Sequence, residues 1–184
     1  MILGFLKARP RKTVEDFMNM PEGTRAELID GELFMSPAPK TPHQRAVMRL
    51  ITLLDAFVRS RSLGEVFVAP FDVHLPSGDI VEPDIIYISS RNQGIVQDWI
   101  RGVPDLVVEV ISPDGVERDR FVKRDLYAQN GIGEYWIVDP QAQTVEVFSL
   151  TGDRYEPNGY FERDNAVASA LLPEFKVRVA EIFA

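Results

Sequence analysis

The sequence predicts an α/β fold in three layers, a mixed central β-sheet flanked by helices with additional β-hairpins. Three observations point to it. Runs rich in Val, Ile and Phe recur through the middle of the chain, "EVFVAPFDVHL", "DIIYIS" and "DLVVEVIS", each reading as a strand. Two segments with apolar residues at helical spacing bracket them. The apolar character of "DLVVEVIS" is nearly continuous, the mark of a strand covered on both faces.

In chain order, Thr13 with Asp16 three positions on resembles a capping box, opening a short helix through about Met20. "AELIDGELFMS" reads as a hairpin turning at Asp30-Gly31, the dipeptide of a type I′ turn. A long helix runs from Thr41-Pro42 to about Ser62 and Gly64, with Val47, Leu50, Ile51, Leu54 and Val58 on one face as core. The three strand-like runs follow, with "NQGIVQDWIRG" between the last two as a connection holding at most a short helix. A second helix spans about Glu117 to Gln129 and stops at Asn130-Gly131. "EYWIVD", "TVEVFSL", "RYEPNGYF" and "AVASALLPEF" finish the sheet as short strands.

The bulk numbers bound the answer. With 184 residues, 45% hydrophobic and 26% charged, and no repeat or linker, residues 1–184 are expected to form one domain with a good core. No apolar run of about 18 residues is present, and "MILGFLKARPRK" lacks the pattern of a secretory leader, so the expectation is a cytoplasmic protein off the membrane. The absence of cysteine excludes disulfides, thiolate catalysis and Cys-based zinc or iron–sulfur sites. With only His43 and His74 for imidazole, a metal site would be mostly carboxylate and carbonyl oxygen, which suits Mg²⁺, Mn²⁺ or Ca²⁺. A formal net charge of -8 weighs against nucleic acid as a partner, unless a local basic face or a bound cation reverses the field at one site.

Glu109 is the anomaly inside "PDLVVEVIS". Alternation puts Asp105, Val107, Glu109 and Ile111 on one side of that strand and Leu106, Val108 and Val110 on the other. An ionised carboxylate so placed is costly unless a cation or hydrogen-bond donors compensate it. A structural pair with an arginine, a place at the strand's exposed end, and a role as metal ligand all answer this. A metal needs a second carboxylate, and Asp105 is about 13 Å away along the strand, whereas ligands of Mg²⁺ lie within about 4 Å of one another. Asp84, after Pro83 at the head of "DIIYIS", converges instead if its strand lies about 5 Å from that of Glu109; a plain polar strand start is the alternative. Lys123 is the one lysine between Lys40 and Lys176. It stands in the row Asp119, Lys123, Tyr127, beside an apolar stripe of Val122 and Leu126, from which it can snorkel toward Glu109. A surface pair with Asp119 worth about 0.3 to 0.5 kcal/mol is the alternative there.

Together, "VEPDIIYIS", "GVPDLVVEVISP" and "RDRFVKRDLYAQNGIGEYWIVDP" resemble the PD-(D/E)XK restriction-endonuclease-like superfamily. More narrowly, the chain is similar to a large bacterial family of endonuclease-like proteins of that fold, long of unknown function. The likeness covers essentially the whole chain, and its local pattern of PD, EVxSP, D-x3-K-x3-Y and G-x-x-EYW is fairly specific. It implies that Asp84 is the PD aspartate and Glu109 the second acid. The usual lysine two residues beyond is replaced by Ile111, and Lys123 on the following helix matches instead. Glu27 in "AELIDGEL" matches an early acid, with a surface hairpin acid as the alternative, and His43 matches a "PHQ" histidine without an assigned role.

The implied reaction is hydrolysis of a DNA phosphodiester bond. Asp84, Glu109 and a backbone carbonyl near Val110 or Ile111 would hold Mg²⁺, with Mn²⁺ able to substitute, and Lys123 would orient a water or stabilise charge. Arg45 and Arg49 share a helix face, and Arg118, Arg120 and Arg124 around Lys123 offer a basic rim that, with His43 and Tyr127, could touch DNA. A homodimer is expected from the resemblance alone. Two rival readings are a catalytically silent interaction or scaffold module on the same fold, and a metal-independent carboxylate enzyme such as a glycosidase using Asp84 and Glu109. Tyr135 and Trp136 are read as strand aromatics rather than a base-stacking platform, and "GDRYEPNGY" as hairpin turn chemistry.

Overall fold

A computed structural model gives the chain's structure and describes residues 10–113 and 115–184. The reading of the first nine residues lies outside that range. Thr13 opens helix α1 (Val14–Met18) with both halves of a capping box formed. Strands β1 (Ala26–Ile29) and β2 (Glu32–Met35) pair in a hairpin whose turn residues Asp30 and Gly31 both take positive φ, 48° and 74°, as a type I′ turn requires. Helix α2 (Thr41–Ser60) carries proline in its first turn and buries Ala46, Val47, Leu50, Leu54 and Val58.

The run "EVFVAPFDVHL" is not one strand. β3 (Gly64–Val68) ends before Ala69-Pro70, and β4 (Val73–His74) belongs to a different sheet. Proline cannot donate to a ladder, so the chain leaves the first sheet there. β5 (Ile80–Val81) and β6 (Ile85–Ser89) follow, then β7 (Ile100–Arg101) within the expected connection, then β8 (Leu106–Val110). Helix α3 (Arg124–Gln129) is preceded without a break by a π-helical turn over Arg118–Lys123. Strands β9 (Glu134–Asp139), β10 (Thr144–Thr151) and β11 (Arg154–Phe161) form a meander. Of "AVASALLPEF" only β12 (Ala166–Ala168) is strand; it pairs with β13 (Lys176–Arg178), and helix α4 (Val179–Phe183) follows.

The large sheet has the order β11-β10-β9-β8-β6-β3 and is mixed, parallel between β8 and β9 and antiparallel elsewhere. Alternation along β8 sends Leu106, Val108 and Val110 into one core with α2 and α4, and Val107 and Ile111 into another with Leu126 and Tyr127. The smaller sheet, β2-β1-β5-β4-β7, shares that second core through Val73, Val81 and Ile100. The sheet is therefore covered on both faces, which explains its near-continuous apolar sequence. No helix among the described residues is long and apolar enough to cross a membrane.

Candidate active site

The site begins with a register. β6 and β8 run antiparallel with Ile85 opposite Val108, so the next pair outward is Asp84 and Glu109, on the face that carries α3. Directly opposed side chains in such a pair have their Cβ atoms about 5 Å apart. Asp84 is clamped from two sides: the Val110 amide donates to its Oδ2 at 2.8 Å, and His43 Nε2 lies 3.1 Å from its Oδ1. His43 is thus not an exposed helix-start residue. Asp105 is engaged elsewhere, accepting from the amide and hydroxyl of Ser89 and from Asn92.

Glu109 is only 4% exposed. Its Oε1 accepts from Lys123 Nζ at 2.9 Å and from the Tyr127 hydroxyl at 2.7 Å. Lys123 is 3% exposed and reaches two further acids, Glu27 Oε1 at 2.8 Å and Asp119 Oδ1 at 3.7 Å. Glu27 is 1% exposed, which removes the surface-hairpin alternative; the hairpin strand β1 pairs with β5 at Leu28 and Ile80, and Glu82 donates its amide to Glu27 Oε1 at 3.0 Å. The pair of Lys123 with Asp119 alone is likewise the weakest of its three contacts rather than a surface bridge.

The expected apolar stripe on this helix is corrected by the π-turn. Val122 is exposed, and the buried row is Asp119, Lys123 and Tyr127, with Leu126. A π-turn has a wider ring than an α-turn, so residues step round it by smaller angles, and Lys123 points under the sheet instead of snorkelling over its edge. The turn is pinned by β9, whose Tyr135 donates its hydroxyl to the Asp119 carbonyl at 2.9 Å.

Burial would pull the Lys123 ammonium toward neutrality, but Glu109, Glu27 and Asp119 around it more than offset this, so it stays protonated. Burial pushes the carboxyls of Glu109 and Asp119 up, against the pull of Lys123 and, for Asp119, of Arg118 as well. His43 is drawn down by burial, yet Asp84 beside it and the Val110 backbone raise it overall. Glu109, Glu27 and Asp119 crowd one ammonium, with Asp84 close by, so the cluster is short of positive charge.

That shortage suits a hard divalent cation. Every donor is oxygen, and among the described residues Glu109 Oε2 and Glu27 Oε2 accept no hydrogen bond, the latter being fully buried. No three His, Asp or Glu side chains among the described residues are grouped so as to hold an ion alone. Two carboxylates with a backbone carbonyl, the remaining positions left to water and substrate, is a shell that Mg²⁺ commonly accepts.

A cleft of about 520 Å³ opens over this cluster, its lining including Glu27, His43, Asp84, Glu109, Arg118 and Lys123. The expected basic rim is not assembled around it. Arg118 lies in the cleft wall, 3.9 Å from Glu27 Oε2, but Arg120 is pulled to Glu146 at 2.6 Å and Asp139 at 3.8 Å, and Arg124 lies over Phe121 and Phe148. Arg45 and Arg49 border a separate hollow. Opposite charges draw Arg120 aside and aromatic faces draw Arg124. Tyr127 is fully buried and holds Glu109, so it cannot touch a substrate in the cleft, and Tyr135 and Trp136 are buried too.

Two cleft residues escaped the sequence reading. Arg25 and Glu82 lie 3.9 Å apart on the same wall, and Glu82 is pushed up to about 7 by burial first and then by Asp72. The signal for Glu82 was its place in "VEPD", two residues before Asp84; Arg25 had only its proximity to Glu27.

A protein-family model, Uma2, described as "Putative restriction endonuclease", matches residues 14–180. No curated protein is matched. Among solved structures, the chain is similar to a crystal structure described as a putative nuclease belonging to DUF820 from Anabaena variabilis ATCC 29413. The TM-score is 0.78 at 20% identity, over 93% of this chain and 97% of that one. At that identity the likeness shows a shared fold.

Proposed function

The chain belongs to the Uma2 family, and from that premise we propose that it hydrolyses DNA phosphodiester bonds at the Asp84–Glu109–Lys123 cluster with Mg²⁺, or Mn²⁺ in its place. The observation that carries the reading is the buried Lys123, tied to Glu109 and Glu27 at the floor of an open cleft beside a clamped Asp84. So many ionisable groups beneath a cleft cost folding stability, and a reaction explains their retention better than structure does.

Asp84, Glu109 and the Val110 carbonyl would hold the cation. When bound, it supplies a lowered pKa for a coordinated water and neutralises charge on the scissile phosphate. The rest falls to this chain's own groups. The Val110 amide and His43 fix both oxygens of Asp84, so the carboxylate presents one orientation. Tyr127 and Lys123 fix Oε1 of Glu109 and leave Oε2 for the cleft. Lys123, held protonated, is a donor of hydrogen bonds and positive charge toward the phosphate oxygens in the transition state rather than a base. We further propose that residues 1–184 act as one cytoplasmic domain, on sequence grounds, and as a homodimer, on the family resemblance alone.

Incubation of the full chain with supercoiled plasmid and with single- and double-stranded oligonucleotides, in Mg²⁺, Mn²⁺ or EDTA, tests it. Cleavage should need the cation and vanish in Asp84→Asn. Cleavage that persists in EDTA, or unchanged activity in that variant, would overturn the reading.

A further inference from the structure

Four orphaned polar atoms on one wall of the cleft carry a further inference, which rests on the nuclease reading above. Buried polar groups in folded proteins are nearly always hydrogen-bonded, and exceptions call for an occupant or a function. Here Arg25 Nε, Glu82 Oε2, Glu27 Oε2 and Arg118 Nε are all buried without a hydrogen-bond partner, and all four residues line the cleft. They form one chain of contacts. Arg25 stands 3.9 Å from Glu82, the Glu82 amide binds Glu27, and Arg118 stands 3.9 Å from the other oxygen of Glu27.

Both guanidinium pairs are close enough for charge attraction and too far for a hydrogen bond. The acids hold the guanidiniums near the wall without using up their N–H donors. Arg118 is further steadied by the ring of Phe34, 5.6 Å below it, and the Arg25 backbone is fixed by the Ser36 amide donating to its carbonyl at 3.0 Å. A second cation lodged between Glu27 and Glu82 would have to face both guanidiniums. The buried Nε groups stay turned to the acids, while the guanidinium ends of Arg25 and Arg118, whose side chains are 39% and 24% exposed along the cleft, are left to meet an anion with planar-accessible oxygens, and arginine is suited to phosphate.

We propose that Arg25 and Arg118 form a subsite for a phosphate other than the scissile one, on the strand that crosses the cleft. It would fix the distance between that phosphate and the bond cut at Asp84 and Glu109. A backbone diester and a terminal monophosphate share this chemistry, and the experiment separates them.

Binding of a fluorescent oligonucleotide to the full chain is followed by anisotropy over a range of salt, with and without divalent cation. Arg25→Gln and Arg118→Gln should each weaken binding about tenfold and lower the salt slope by about one, while Arg25→Lys retains the slope. One neutral methylphosphonate in the strand, or removal of the 5′-phosphate, should weaken wild-type binding by a similar factor and add nothing in Arg25→Gln. Sensitivity to the methylphosphonate identifies a backbone diester, and sensitivity to the 5′-phosphate a terminal group. The subsite is overturned if both glutamine variants keep wild-type affinity and slope, or if they respond to every neutralised phosphate as the wild type does. Should a variant not fold, the substrate scan on wild-type protein decides, and a scan in which no phosphate stands out overturns the proposal. Cation-dependent cleavage with binding indifferent to both arginines sinks the subsite alone; a chain that binds no strand sinks both.

Discussion

Replacing Lys123 with methionine separates a buried charge cluster from a decorative one. The substitution keeps the length of the side chain and removes the ammonium that sits 2.8 Å from Glu27 Oε1 and 2.9 Å from Glu109 Oε1. Glu109 then keeps only the Tyr127 hydroxyl, and Glu27 keeps the Glu82 amide and a guanidinium at 3.9 Å. Removing one partner of a buried ion pair costs about 3 to 5 kcal/mol, a large share of the roughly 5 to 15 kcal/mol that holds a domain folded. The cost is pH-dependent, with a definite sign. Burial already pushes the Glu109 carboxyl up and Lys123 opposes this, so losing the lysine raises the folded value further. A carboxyl whose folded pKa exceeds its unfolded one favours the folded state in acid and loses that contribution as pH rises through and beyond the ordinary carboxylate range. Urea denaturation followed by circular dichroism, in EDTA, should therefore show the full loss near neutral and alkaline pH and a smaller loss in acid. Adding Glu109→Gln should restore about 2 kcal/mol, because the orphaned charge goes with it. A loss below about 1 kcal/mol, or one equal at both pH values, refutes the reasoning.

Tyr127→Phe should cost about 1.5 to 3 kcal/mol by calorimetry or urea titration, the range for a buried hydrogen bond to a charged group, and should lower activity by shifting Glu109 rather than by weakening DNA binding. Asp84→Asn should abolish cation-dependent cleavage, with stability changed by less than about 1 kcal/mol, since the amide oxygen still accepts from Val110. In metal-free protein the stability contribution of Glu82, raised from 4.5 to about 7, should decline as pH climbs between those two values; thermal melts of Glu82→Gln should be flatter there by up to about 2 kcal/mol, its half-burial considered. Arg124→Ala should leave DNA affinity and its salt slope unchanged, as that guanidinium lies over Phe121 and Phe148 outside the cleft.

The parts of the fold written in local chemistry were legible. Thr13 with Asp16 and the Asp30-Gly31 turn act over a few residues and need no partner, and the period-two alternation of β8 sorted its side chains between two cores. The distance argument against Asp105 needed only the rise of a strand, and Asp105 does bond elsewhere. What failed depends on contacts between distant segments. "EVFVAPFDVHL" divides between two sheets because pairing partners, not composition, decide where a strand continues. Nothing in "RDRFVK" announces a π-turn; Tyr135 on a later strand pins it, and that turn places Lys123 beneath the sheet and leaves Val122 outside. The arginines were legible as charges but not as directions, since Glu146 and Phe148, which draw Arg120 and Arg124 aside, come from β10. Arg25 and Glu82 were invisible as a pair because only the pairing of β1 with β5 brings their segments side by side.

The central claim is that Asp84, Glu109 and the Val110 carbonyl receive a divalent cation at the floor of the cleft. Anomalous diffraction from crystals soaked in Mn²⁺ tests it most directly. The account predicts a peak within about 2.2 Å of an oxygen from each of the three groups, lost in Asp84→Asn. A saturating soak that leaves this position empty, or places the ion on surface carboxylates alone, would contradict it.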